Sequence, residues 1–179
     1  MSEQTKPIDN QDELIKDLSF DKEAGDKKTF TGSCVCRKVT YKVDISMANQ
    51  REITKCNCTI CQKRGWVTLR ADEKDFHMQT PCTTEQLFTS KPGQYVGNYV
   101  RESSPHMSRF FCDVCGCQFA MQGYFLIGEH RIDFFAVDPK TLDQPQEGLD
   151  VSTFKVQYYD GIKNDFMNKS SQVHPHGIV

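Results

Sequence analysis

Val39, Tyr41, Val43 and Ile45 are separated by Thr40, Lys42 and Asp44, one apolar position in every two. A strand turns successive side chains to opposite faces, so this alternation predicts a half-buried strand. Shorter apolar stretches follow at Trp66 to Leu69, Phe76 to Met78, Leu87 to Thr89, Tyr95 to Tyr99, Ser108 to Phe111 and Phe119 to Met121. Ile132 to Val137 is the most apolar of them, and Val151 to Tyr159 reads as extended up to the turn at Asp160-Gly161. Turn material separates these stretches, Lys91-Pro92-Gly93 being a clear case. Short strands with frequent turns and no βαβ rhythm predict a mainly β domain of antiparallel sheets, without internal repeats.

The pattern also sets expected boundaries. Residues 1–28 are polar and charge-rich, with Leu14, Ile15 and Leu18 as a single short helical stripe, and read as an N-terminal arm. The domain is expected over residues 29–163, and residues 164–179 as a surface tail. No run approaches 18 apolar residues, so no membrane partner is expected. The first residues lack the apolar core of a signal segment, which predicts a cytoplasmic or nuclear location. A formal net charge of −2 with interspersed signs predicts no nucleic-acid partner, since such proteins carry a basic face.

Cysteine usage changes the picture most. Nine cysteines are many for an intracellular chain, and an odd number cannot all pair. In a reducing compartment their expected use is metal binding or catalysis rather than a disulfide framework. Seven of them fall into three knots: Cys34 and Cys36, then Cys56, Cys58 and Cys61, then Cys112 and Cys115. In an extended segment residues two apart face one side, so Cys34 and Cys36 are expected to present both sulfurs to one ion after a tight turn at Gly32. Cys112-x-x-Cys115 bends back on itself, with Gly116 permitting the turn. The central knot holds three thiols in six residues. A tetrahedral ion gripped by three protein ligands keeps a fourth position for water or substrate. The chain therefore reads as a two-zinc protein with one closed site and one open site, although spacing alone does not decide which knots share an ion.

The pattern Gly32-Ser33-Cys34-x-Cys36, Cys56-x-Cys58-x-x-Cys61 and Phe111-Cys112-x-x-Cys115-Gly116 resembles the glutathione-dependent formaldehyde-activating enzyme family, which includes the centromere protein V group. The resemblance spans roughly Thr29 to Val137, and Tyr158-Tyr159-Asp160-Gly161 is similar to the ending of some fungal members. It implies a tent-like β fold clamped by zinc–thiolate sites. It further implies a structural zinc on Cys34, Cys36, Cys112 and Cys115, and a catalytic zinc on Cys56, Cys58 and Cys61. The partition makes physical sense. The first site ties two segments far apart in sequence, at a closure cost that grows only logarithmically with loop length. Zinc binding offers about 10–16 kcal/mol in small peptides. The local tripod crosslinks almost nothing, so its value lies in the ion's open face.

The reaction implied is addition of glutathione to formaldehyde, giving S-(hydroxymethyl)glutathione: a carbon–sulfur lyase running in reverse. The partners implied are a small-molecule thiol and a small carbonyl. A thiol of pKa near 8.5 is about 3% ionised at pH 7, so complete ionisation gains roughly thirtyfold, about 2 kcal/mol. Holding both reactants together has a far larger ceiling, with effective molarities of about 10⁵ M or more. Lys63 and Arg64 follow the tripod and read either as receivers of the thiol ligand's carboxylates or as solvated charges of a turn. Cys117 reads as a spare core residue or a fourth ligand of the tripod, and Cys82 as a lone semi-buried thiol. His77, His106 and His130 are isolated, and His174 and His176 lie in the expected tail. The alternative to an enzyme is a non-catalytic zinc scaffold or chromatin-associated interaction module.

Overall fold

The computed structural model describes residues 26–47, 52–89, 92–127 and 129–178. Leu14, Ile15 and Leu18 lie outside them. In chain order the elements are β1 (Lys27–Ser33), β2 (Thr40–Ser46), β3 (Glu52–Cys56), α1 (Thr59–Arg64), β4 (Leu69–Ala71), β5 (Phe76–Thr80), α2 (Thr84–Leu87), β6 (Val96–Arg101), β7 (Ser104–Cys112), β8 (Gln118–Ile127), β9 (His130–Val137), β10 (Lys155–Asp160) and β11 (Asp165–Ser170). The fold is mainly β, in three sheets ordered β1-β2-β5, β11-β10-β3 and β4-β9-β8-β7-β6. Every strand pair is antiparallel except β3 with β10.

The alternation in β2 does what its pattern dictates: Tyr41, Val43 and Ile45 are buried while Lys42 faces solvent. They join Phe30, Leu69, Phe76, Phe110, Phe119, Phe135 and Val137 in the main core. Burying each such side chain contributes about 1.5–3 kcal/mol. β9 is apolar at four consecutive positions, Phe134 to Val137, because the five-stranded sheet is covered on both faces. Phe135 and Val137 face the main core, whereas Phe134 and Ala136 join Trp66, Met107 and Met121 in a second cluster. Cys61 and Phe125 pack against that second cluster.

Three local expectations need correction. Leu87 to Thr89 does not form a strand. Thr83 caps α2, accepting the Gln86 N–H, while the Gln86 side chain accepts the Thr83 N–H. That reciprocal capping box wins over the short apolar run. Gly32 makes no turn either; it lies within β1 opposite Tyr41, and a Cβ there would run into the Tyr41 ring. Val151 to Thr153 is a 3₁₀ turn, with only Lys155–Asp160 extended. The stretch read as a tail includes a strand, β11, which pairs with β10. Among the described residues no helix is long and apolar enough to cross a membrane.

Candidate metal centres

The four-cysteine site is built from two tight turns. Cys34, Val35 and Cys36 are not extended: the Arg37 N–H donates to the Cys34 carbonyl at 2.9 Å and the Cys34 N–H to Val39 at 3.0 Å. Arg37 adopts φ of 58°, so the chain reverses around the two sulfurs rather than passing them in a strand. In the second turn the Gly116 N–H donates to the Cys112 carbonyl at 2.8 Å and the Cys112 N–H to Cys117 at 2.9 Å. Gly116 takes φ of 73° with open space where a side chain would stand, so glycine is needed here for conformation alone.

These turns bring Cys34, Cys36, Cys112 and Cys115 together, their sulfurs all within 4.8 Å of one another. Sγ of Cys36 is 3.5 Å from that of Cys34 and 3.6 Å from that of Cys112. An ion about 2.3 Å from each of four tetrahedral sulfurs requires sulfurs about 3.8 Å apart. The spacing fits such an ion and is far too long for disulfides. Burial pushes the Cys112 thiol up to about 12. The more exposed Cys115 is held down to about 6, where burial is outweighed by the N–H groups of Cys36 and Cys117. Backbone donors are thus already aimed at sulfur, as a set of thiolate ligands requires.

The second group, Cys56, Cys58 and Cys61, also has its sulfurs within 4.8 Å of one another, each half-buried. Cys56 ends β3, Cys58 is the N-cap of α1 and Cys61 lies within its first turn. The sequence gives the helix its stop: Lys63 and Arg64 complement the last turn, and Gly65 takes φ of 61°. Its N–H returns to the helix carbonyls, and the Trp66 N–H donates to Cys61 at 3.0 Å. The Cys58 thiol is held down to about 2 by the sulfurs of Cys56 and Cys61 and by the N–H groups of Cys61 and Ile60. Those same sulfur contacts push Cys61 up and Cys56 up to about 11. Among the described residues no other cysteine, histidine or carboxylate joins either group.

The tripod is fastened to the C-terminal part of the chain. Asn57, buried between Cys56 and Cys58, donates to Asp160 at 2.9 Å and to the Pro175 carbonyl at 3.1 Å, and accepts the Ile162 N–H at 3.1 Å. The adjacent Gly161 lies against Cys56 and Cys58, and a Cβ there would overlap the Cys56 sulfur. A small recess beside Cys56 and Asn57 is lined also by Gln62, Tyr159, Val173 and Ile178. Opposite, Cys61 meets the cluster of Trp66, Met107 and Met121.

Lys63 is exposed. Arg64 crosses from α1 to the five-stranded sheet, donating from Nε to Gln118 and lying 5.1 Å from the Tyr99 ring centre and 5.5 Å from that of Phe111. Cys117 packs against the main core, outside both ligand groups, as does Cys82. His106 stacks on Tyr124, and His174 lies 3.9 Å from Asp160. Sequence reasoning missed Asn57 and read Gly161 only as a turn. Glycine after an acidic residue at a strand end signals a turn, but nothing in one sequence marks a close approach to sulfur.

A family profile described as glutathione-dependent formaldehyde-activating enzyme matches residues 29–153, more than half of the chain. No curated protein matches the chain.

Proposed function

The chain belongs to the glutathione-dependent formaldehyde-activating enzyme family, and on that premise we propose that it is a zinc-dependent enzyme of the carbon–sulfur lyase type, adding a thiol, with glutathione favoured, to a small carbonyl such as formaldehyde. The observation that carries this reading is the three-thiol cluster of Cys56, Cys58 and Cys61, for which no fourth protein ligand exists among the described residues. A scaffold needs a closed site, and the four-cysteine group supplies one; the tripod adds little crosslinking and is explained by its open side. Two zinc ions per chain follow, one structural and one catalytic.

Bound at the tripod, zinc supplies a cationic centre that favours the thiolate form of an added sulfur ligand and polarises a carbonyl oxygen. The chain's own residues prepare the place. The N–H groups of Ile60 and Cys61 stabilise negative sulfur at Cys58. Asn57 fixes the loop that carries the ligands. Trp66 and Met107 give the Cys61 side an apolar wall. Of the two cationic residues that follow the tripod, Arg64 is positioned by Gln118 and favoured over the exposed Lys63 as a partner for a ligand carboxylate. In the reaction the thiol sulfur bonds to the carbonyl carbon, the carbon–oxygen π bond opens, and the thiol proton ends on that oxygen. No net proton is released.

Because the reaction also runs without a catalyst, the test is an exchange rate. Zinc-loaded protein should speed exchange between ¹³C-formaldehyde and its glutathione adduct, followed by NMR, and the Cys58→Ser variant should not. An exchange rate equal to that of buffer removes the enzymatic reading.

A further inference from the structure

Arg109 lies in β7, between Met107 and Phe111 on the face that meets α1. Its residue exposure is 9%, yet among the described residues no carboxylate pairs with it. Among the described residues its guanidinium makes one hydrogen bond, from Nη1 to the Met107 carbonyl at 3.1 Å, while its backbone N–H donates to the Asn98 side chain at 3.1 Å. A guanidinium has five N–H donors in a fixed fork, and burying it without an anion is costly. Burial pushes its guanidinium below the usual arginine range, and Met107, two residues before it on the same strand face, belongs to the cluster against which Cys61 packs.

Arg64 reaches the same face from the opposite side. It stacks on Tyr99, the direct cross-strand neighbour of Arg109, and on Phe111, two residues along β7. Arg64 likewise has no carboxylate partner among the described residues; its recorded bond is to the neutral Gln118. Two guanidinium groups therefore share one face of the sheet, next to the helix that carries Cys61. Three thiolates with a divalent ion carry a single negative charge, which balances one guanidinium and leaves the other without a counter-ion.

We propose that Arg109 and Arg64 form an anion-receiving recess beside the three-cysteine cluster, and that the thiol taken there carries a carboxylate held by this pair. The inference rests on the reading that a thiol enters the tripod's open position, and it names the ligand class: acidic thiols over neutral ones. Paired guanidinium groups suit a carboxylate because each offers parallel donors to its two oxygens. Arg109 is the new element, since it lies far along the chain from the tripod and is buried rather than displayed.

The test uses calorimetry on the zinc-loaded full chain with 3-mercaptopropionate, its methyl ester and propionate. The acid should bind at least about tenfold more tightly than the ester, one good charge-assisted pair being worth roughly that factor. Arg109→Gln should erase the difference while leaving the ester's affinity in place, and Arg64→Gln should reduce it. Equal affinity of acid and ester for the native protein overturns the recess and leaves the thiol site standing. Binding of propionate, lost in Arg109→Gln, with no binding of either thiol would keep the recess and remove the thiol reading. Failure of all three probes to bind removes both. Should Arg109→Gln shed the second zinc, Arg64→Gln decides: an undiminished preference for the acid there overturns the proposal.

Discussion

At the scale of single residues, the chain spends stability to hold polar groups where they shape its loops. Asp138 follows β9, accepts the Lys140 N–H at 3.0 Å, and is almost wholly buried. Burial pushes its carboxyl up to about 6 despite the nearby Lys140. Below about 4 both folded and unfolded chains hold this proton, so the group has no effect on stability. Between about 4 and 6 the folded chain keeps a proton that the unfolded chain has lost. Above 6 both are ionised and the folded state bears the full cost of the buried charge. Asp138→Asn keeps a side-chain acceptor for Lys140 and removes the charge. Its stability relative to the native chain should therefore rise between pH 4 and 6, by up to about 3 kcal/mol for a shift of about two units. Paired urea titrations across that range check it, because losses of metal common to both proteins cancel. A difference that stays flat with pH would show that Asp138 titrates normally.

At the scale of elements, the tripod depends on how closely the β10–β11 turn approaches the loop before α1. Asn57 bonds the two together, and Gly161 leaves room for the Cys56 sulfur and the Cys58 Cβ. An added methyl group at this contact must push the ligand loop aside. Overpacking of this kind costs about 1–3 kcal/mol, which is a loss of a few degrees in Tm for a chain of this size. Gly161→Ala should thus remain folded and keep the four-cysteine ion, but release the tripod ion at least tenfold more readily in a chelator challenge. Retention of both ions with native affinity would mean that the turn yields instead of the tripod.

At the scale of the whole molecule, the two cysteine groups have different mechanical roles. The four-cysteine group joins the turn after β1 to the turn after β7, across the main core. The tripod draws on one loop only. Metal binding couples to folding only where the ligands come together on folding. Cys112→Ser should therefore lower Tm by more than about 10 °C, since breaking a closed site removes several kcal/mol at about 2–4 °C each. Cys58→Ser should cost under about 5 °C and reduce the metal content from two ions per chain to one. Thermal melts with elemental analysis of both variants check this, and equal destabilisation would make the tripod structural as well.

The sequence by itself determined the strands whose apolar period is clear, such as β2 and β9, and the identity of the seven clustered thiols. Both are short-range properties: a side chain's face follows from its neighbours two residues away, and a three-thiol knot needs only a few bonds of chain. Even within that range a competing signal misled, as at Thr83-Thr84-Glu85-Gln86, where the capping box set a helix over an apolar run. Cys34 and Cys36 were legible as a pair, but not the turn that converges their sulfurs, because that turn depends on the left-handed backbone at Arg37. The pairing of this knot with Cys112 and Cys115 came from family resemblance and not from spacing. Only the tertiary structure brought Asn57 to Asp160, Gly161 to Cys56, and Arg64 of α1 onto Tyr99, the cross-strand partner of Arg109. Those contacts join residues far apart in sequence, and their energies are set by burial and close approach, which exist only once distant strands such as β3 and β10 have paired.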